Sequence, residues 1–163
     1  MSQGMIQIYS GDGHGKSSAA LGKAVQAASV GKSVVIIQFL KGLAENEFIK
    51  RLEPEIKFFR FEKSEGDFNK LSEREKEEEI KNIKNGLNFA KKVLATGGCD
   101  LLILDEVLGL IDNHIITVED LMTIIGTKTE ETSIIITGIQ LDTDLCKVAD
   151  EISKIETLKY KVW

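Results

Sequence analysis

Between Ser10 and Ser18 the sequence reads Ser-Gly-Asp-Gly-His-Gly-Lys-Ser-Ser, and the chemistry this run offers is phosphate binding. Gly11, Gly13 and Gly15 are spaced two apart, so the backbone can take positive φ and turn its N–H groups into one concavity. A helix opening near Lys16 adds unpaired N–H groups and a partial positive charge. Lys16 brings a full charge to the terminal phosphates. Ser17 brings a hydroxyl to Mg²⁺, an ion that keeps several waters and takes few protein ligands. The expected phosphate contacts are therefore Ser10, Gly11, Asp12, Gly13, His14, Gly15, Lys16, Ser17 and Ser18, and the expected ligand is ATP with Mg²⁺. The run departs from G-x4-G-K-[ST] at one place, because Ser10 stands where the first glycine belongs and Gly11 comes one residue late. A glycine-rich turn that merely bounds a helix is the competing reading. A strand before the run and a helix after it weigh against that reading.

A second chemical pair, Asp105-Glu106, ends the apolar run Asp100-Leu-Leu-Ile-Leu-Asp105. Ligands of parallel α/β sheets sit outside the carboxyl ends of the strands, where an acidic residue can hold Mg²⁺, usually through water. A polar strand end or a helix cap is the alternative. Spacing does not fix which carboxylate faces the ion, since neighbours on a strand point to opposite sides.

The elements that must position these groups alternate along the chain. Met5–Tyr9 reads as a strand, Lys16–Ala28 as a helix closed by Gly31, and Ser33–Phe39 as a strand covered on both faces. That is one βαβ unit. A short helix over Glu45–Leu52 and a third strand over Ile56–Phe61, near an edge, follow. Lys63–Lys70 is a loop. Ser72–Ala95 is a long helix with Ser72 and Glu75 as a capping box, charged all round in its first half and so a solvated face. Helices over Ile116–Ile125 (capped by Thr117) and Asp142–Ala149 flank a strand at Ser133–Gly138, and Ile152–Val162 alternates weakly as a final strand. The fold class is α/β, a three-layer sandwich around a mostly parallel sheet of five to six strands, and residues 1–163 form a single domain.

Composition narrows the function. A net charge of −5 disfavours non-specific nucleic-acid binding, and no basic stripe interleaves with aromatics. Cys99 and Cys146 lie far apart and read as reduced thiols. No charged leader and no apolar run of membrane-spanning length is present, so a cytoplasmic location is expected. His114, beside Asp112 and Asn113, reads as a turn residue, whereas His14 lies in the loop itself. No nucleophile–base pair stands out. Only three arginines occur, Arg51, Arg60 and Arg74, which disfavours a phosphotransferase with an arginine-rich lid.

Tyr9–Gly22 resembles the opening Y-T-G-x-G-K-G-K-T-T-A-A-x-G of the ATP:corrinoid adenosyltransferases of the CobA/CobO/BtuR type. Val35–Gly42 is similar to their V-x-Q-F-x-K-G, Asp100–Val107 to their D-x-x-I-L-D-E-[IVL], and Thr137-Gly138 with Ala149-Asp150 to their T-G-R…A-D. The resemblance covers nearly the whole chain, and Ser10 matches its threonine before the first glycine. It implies a P-loop NTPase-like domain, commonly homodimeric, that transfers the 5′-deoxyadenosyl group of ATP to a reduced cobalt(I) corrinoid and releases triphosphate. It further implies that Lys16 and Glu106 serve catalysis, that Ser17 and Glu106 hold Mg²⁺ (with Asp105 as the alternative), and that a flavoprotein reductant supplies cobalt(I). Because cobalt(I) is itself the nucleophile, catalysis reduces to positioning and charge stabilisation of the leaving group.

The chain departs from that pattern at one place in the loop and otherwise on the corrinoid side. His14 replaces a lysine between the second and third glycines, which removes a fixed charge near the phosphates. Ser64–Lys70 keeps Phe68, the expected corrinoid contact, but lacks the tryptophan of G-F-T-W. Ile139 stands for arginine, Leu141-Asp142 for Ala-Pro, and Lys159-Tyr160-Lys161 for K-H-P. The alternative implied by these departures is an ATP-binding relative whose second substrate is lost or changed, acting as a nucleotide-binding or regulatory module.

Overall fold

The apolar runs that read as strands do form strands in the computed structural model, which describes residues 3–40, 47–64 and 67–162. They are β1 (Ile6–Ser10), β2 (Val34–Gln38), β3 (Ile56–Arg60), β4 (Leu101–Asp105), β5 (Ser133–Thr137) and β6 (Glu151–Lys154). They make one sheet in the order β3-β2-β4-β5-β1-β6, and every pairing is parallel. The helices are α1 (Lys16–Ser29), α2 (Glu47–Lys50), α3 (Glu73–Thr96), α4 (Val107–Asp112), α5 (Val118–Ile125) and α6 (Thr143–Val148). Lys41 and Gly42, the start of the helix expected from Glu45, and Glu65-Gly66 lie outside the described residues.

Alternation along the strands sorts the core into two layers. Val35, Ile37, Leu102, Leu104, Ile134 and Ile136 pack with apolar residues of α3 to α6 on one face. Val34, Ile36, Leu101, Ile103 and Ile135 pack with Ala20 and Ala24 of α1 on the other. The central strands are apolar on both faces because both faces are covered. The edge position of β3 and the capping boxes at Ser72/Glu75 and Thr117/Asp120 agree with the local sequence signals.

Two elements differ from the sequence reading. α4 is six residues, Val-Leu-Gly-Leu-Ile-Asp, with Val107, Leu108 and Leu110 buried; a helix so short and apolar shows no polar face to betray its period. β6 ends at Lys154, and the alternating residues beyond it leave the sheet. Ile155 N–H still donates to the Ser10 carbonyl at 2.8 Å, but the chain then turns onto the glycines between β1 and α1.

Candidate nucleotide site

β1 ends at Ser10, α1 begins at Lys16, and the glycines between them supply the bend. Gly11 and Gly15 hold φ of 109° and 104°, values that L side chains rarely adopt. Gly15 occupies the N-cap position of α1 and has no side chain with which to cap the first-turn N–H groups, so that helix end is built to receive an outside acceptor. Lys16 is only 8% exposed, and its Nζ donates to the Gly13 carbonyl at 2.9 Å. Its charge is thus held over the loop concavity. Asp12 and Ser18 are exposed on either side.

Ser17 faces the sheet. Its Oγ donates to Asp105 Oδ1 at 2.8 Å, across 88 residues of sequence. Asp105 ends β4, is 3% exposed, and also accepts from Thr137 Oγ1 at 2.8 Å and from Gln38 Nε2 at 3.1 Å. A buried carboxylate with donors from three separate elements has its charge offset and its orientation fixed. Glu106 follows Asp105 as the N-cap residue of α4. It adopts φ 62°, a strained value for a non-glycine residue, at the bend that opens α4, and its N–H donates to Thr137 Oγ1 at 2.8 Å. Thr137 therefore ties both acidic residues to the end of β5.

Serine hydroxyl and carboxylate oxygens are the hard ligands Mg²⁺ takes. Among the described residues no group of three or more His, Cys, Asp or Glu side chains is placed to hold a metal. Ser17 and Asp105 bring one such hydroxyl and one such carboxylate within hydrogen-bond distance of each other.

The segment after β6 forms the outer wall of the loop. Gly13 N–H donates to the Ile155 carbonyl at 3.0 Å, and His14 N–H donates to Thr157 Oγ1 at 2.7 Å. A Cβ on Gly13 would lie 2.6 Å from the Ile155 carbonyl oxygen and 2.7 Å from the Thr157 nitrogen, which only glycine avoids. The His14 ring meets Tyr160 edge-on at 4.5 Å. From the other side, Gly11 N–H donates to the Ile139 carbonyl at 3.0 Å, while the Ile139 side chain is exposed.

Farther along the strand ends, Arg60 Nη2 donates to Gln38 Oε1. Glu62 accepts the Leu40 N–H with both carboxylate oxygens at 2.8 Å each. Burial pushes the Glu62 carboxyl up to about 7; the Leu40 N–H and the Arg60 charge pull it down, and the Glu79 charge pushes it up. Phe68 lies in a 3₁₀ turn, Phe68–Lys70, beneath Lys76, whose Nζ is 6.0 Å from the ring centroid. Asn69 of that turn donates to Asn113 just beyond α4. Beside Ser17 and Asp105 a cavity of about 190 Å³ is walled by Leu21, Ile36, Phe58 and Ile103.

The structure thus brings Ser10, Gly11, Gly13, Lys16, Ser17 and Asp105 into one cluster and sets Phe68 on a separate turn. Sequence reasoning missed Gln38, Arg60, Thr137, Ile155 and Thr157. The available signal for the first three was a polar residue at the carboxyl end of an apolar strand.

Comparison with known proteins bears on the same residues. Residues 2–162 match the family described as ATP:corrinoid adenosyltransferase BtuR/CobO/CobP. A corrinoid adenosyltransferase of Escherichia coli (strain K12) is 27% identical over 158 residues, covering 97% of this chain and 79% of that protein. The corrinoid adenosyltransferase of Pseudomonas aeruginosa is 23% identical over 161 residues, covering 97% and 77%. In three dimensions the flagellar accessory protein FlaH of Methanocaldococcus jannaschii superimposes with a TM-score of 0.63 at 19% identity, over 99% of this chain and 75% of FlaH, a likeness of fold. No helix of the described residues is long and apolar enough to cross a membrane. The fold is P-loop NTPase-like, and with its match extending over almost every residue, this chain belongs to the ATP:corrinoid adenosyltransferase BtuR/CobO/CobP family.

Proposed function

We propose that the protein transfers the 5′-deoxyadenosyl group of ATP to the cobalt(I) of a reduced corrinoid and releases triphosphate. The observation that carries this reading is the loop from Ser10 to Ser18, with Lys16 over it and Ser17 bonded to Asp105, inside a family match that spans the chain. In the reaction the cobalt electron pair forms a bond to ribose C5′, the C5′–O bond breaks, and the triphosphate departs with the electron pair of that broken bond. No side chain has to act as nucleophile or base. What the protein must do is hold the triphosphate as negative charge grows on its bridging oxygen.

The residues suit that task. Lys16 exchanges its bond to the Gly13 carbonyl for the phosphates, at little conformational cost, because it already lies over the loop. The N-terminus of α1 faces the same charge. Ser17 and Asp105 would hold Mg²⁺, with Glu106 at the adjoining bend; bound there, the ion would supply positive charge to the leaving triphosphate. The cavity beside Ser17 is too small to enclose a corrinoid macrocycle, so the corrinoid would lie against the open rim, the side on which Phe68 and Ile139 stand in this reading.

The test is to mix the protein with MgATP and chemically reduced cob(I)alamin, anaerobically and in the dark. Triphosphate and a light-sensitive cobalt–carbon product, both dependent on the corrinoid, are expected. ADP as the product would make the protein a phosphotransferase. ATP binding without any product, with cobalamin and with smaller corrinoid precursors, would favour a binding module. Ile139 and the missing tryptophan are the features that motivate that second reading.

A further inference from the structure

Arg60, Gln38 and Asp105 stand in one row. The parallel register pairs Gln38 with Arg60 on β3 and with Asp105 on β4, so three adjacent strands end in a cation, a neutral amide and an anion. Strands in a sheet lie about 4.8 Å apart, so the backbones of the outer two residues are roughly 10 Å from each other. The amide spans the interval: Arg60 Nη2 donates to Gln38 Oε1, and Gln38 Nε2 donates to Asp105 Oδ2.

We infer that Arg60 is a positioning residue that fixes the polarity of the Gln38 amide and, through it, the orientation of the Asp105 carboxylate beside Ser17. A guanidinium can only donate, so it accepts one amide orientation and rejects the other. With Oε1 turned to Arg60, the Gln38 NH₂ must face Asp105. That satisfies Oδ2 and leaves Oδ1 to Ser17 and Thr137. Remove the guanidinium and the Asp105 carboxylate is left alone to oppose an amide flip. The flip would set a carbonyl dipole against a buried carboxylate and push it off Ser17. Arg60 is itself constrained: its Nε is buried and, among the described residues, without a partner, while its charge is also felt by Glu62. A buried donor left unmade is costly, which is consistent with a side chain held for what its other nitrogen does.

The inference rests on the proposed Mg²⁺–ATP site, and binding experiments separate the two. ATP affinity would be measured by calorimetry across a MgCl₂ titration, for the wild type, Arg60→Gln, Arg60→Lys, Gln38→Leu and the Arg60→Gln/Gln38→Leu pair. Arg60→Gln restores amide ambiguity and should raise the Mg²⁺ concentration for half-maximal effect by roughly tenfold, the scale of one charge-assisted hydrogen bond, with metal-free ATP affinity unchanged. Arg60→Lys, still donor-only, should stay within a few-fold of wild type. Because Arg60 acts through Gln38, the double variant should be no worse than Gln38→Leu alone. A wild type whose ATP binding ignores Mg²⁺ would overturn the site and the inference together. A Mg²⁺-dependent wild type with an unmoved Arg60→Gln, an equally impaired Arg60→Lys, or additive losses in the double variant would overturn the inference alone. If Arg60→Gln fails to fold, Arg60→Lys against Gln38→Leu still decides: Lys must behave as wild type and Leu must not.

Discussion

The two flanks of the phosphate loop are secured by different means. On the sheet side, Ser17 is bonded to an Asp105 that is buried and accepts from three elements. On the outer side, Gly13 and His14 are held by Ile155 and Thr157, in a run where residues 156–162 are exposed. Buried polar bonds have no competing water, whereas exposed ones exchange with it at little net cost. The Ser17 end of the loop is therefore the more firmly held, and the His14 end, whose bond to Thr157 is exposed, is the one that can yield to a ligand. The two N–H groups engaged by the outer segment are donors a phosphate would also use.

That contrast can be tested from its strongest point downward. Lys16→Ala removes the charge over the concavity and should cut ATP affinity on the order of a hundredfold, the value of a charge-assisted contact or two; near-normal calorimetric binding would discredit the loop assignment. Asp105→Asn keeps shape but loses charge, and should weaken the Mg²⁺ dependence of ATP binding about ten- to a hundredfold. Glu106→Gln, altered one residue past the carboxylate that Ser17 bonds, should do less, and the reverse order would transfer the metal role to Glu106. Gly13→Ala forces a methyl against the backbone of residues 155–157 and should cost about 1–3 kcal/mol, read as a lowered Tm. Thr157→Val removes one exposed acceptor, and should cost no more than about 1 kcal/mol and move ATP affinity by less than a few-fold. If Thr157→Val proves as damaging as Asp105→Asn, the two flanks are equally rigid and the contrast is wrong.

The phosphate loop was legible in the sequence because every part of it is local: strand, glycines, lysine and helix follow within about twenty residues. Strand and helix types were legible for the same reason, period and caps being short-range signals. The partnership of Ser17 with Asp105 was not, since it joins residues 88 apart and depends on how α1 packs on the end of β4. Arg60 and Gln38 are 22 residues apart and are joined by register alone. The run after Lys154 misled because Leu158, Tyr160 and Val162 imitate strand alternation; a β6 at the sheet edge has no further partner to continue it.

The grip of Glu62 on the Leu40 N–H has a consequence for how the protein senses its medium. A carboxyl that ordinarily loses its proton near 4.5 keeps it to about 7 in the folded chain. Between those values the folded state holds more protons than the unfolded one, so stability falls as pH rises and the cost is complete above about 7. The turn at Leu40, just past Phe39 and close to the strand ends of the site, is then anchored by a neutral acid in mildly acidic solution and by a crowded anion, with Glu79 near it, in mildly alkaline solution. Melting curves of the wild type and Glu62→Gln from pH 5 to pH 8 should converge or cross as pH rises, the wild type losing its lead. Parallel curves would mean that this acid titrates alike in both states, and that the rim of the site is indifferent to acidity.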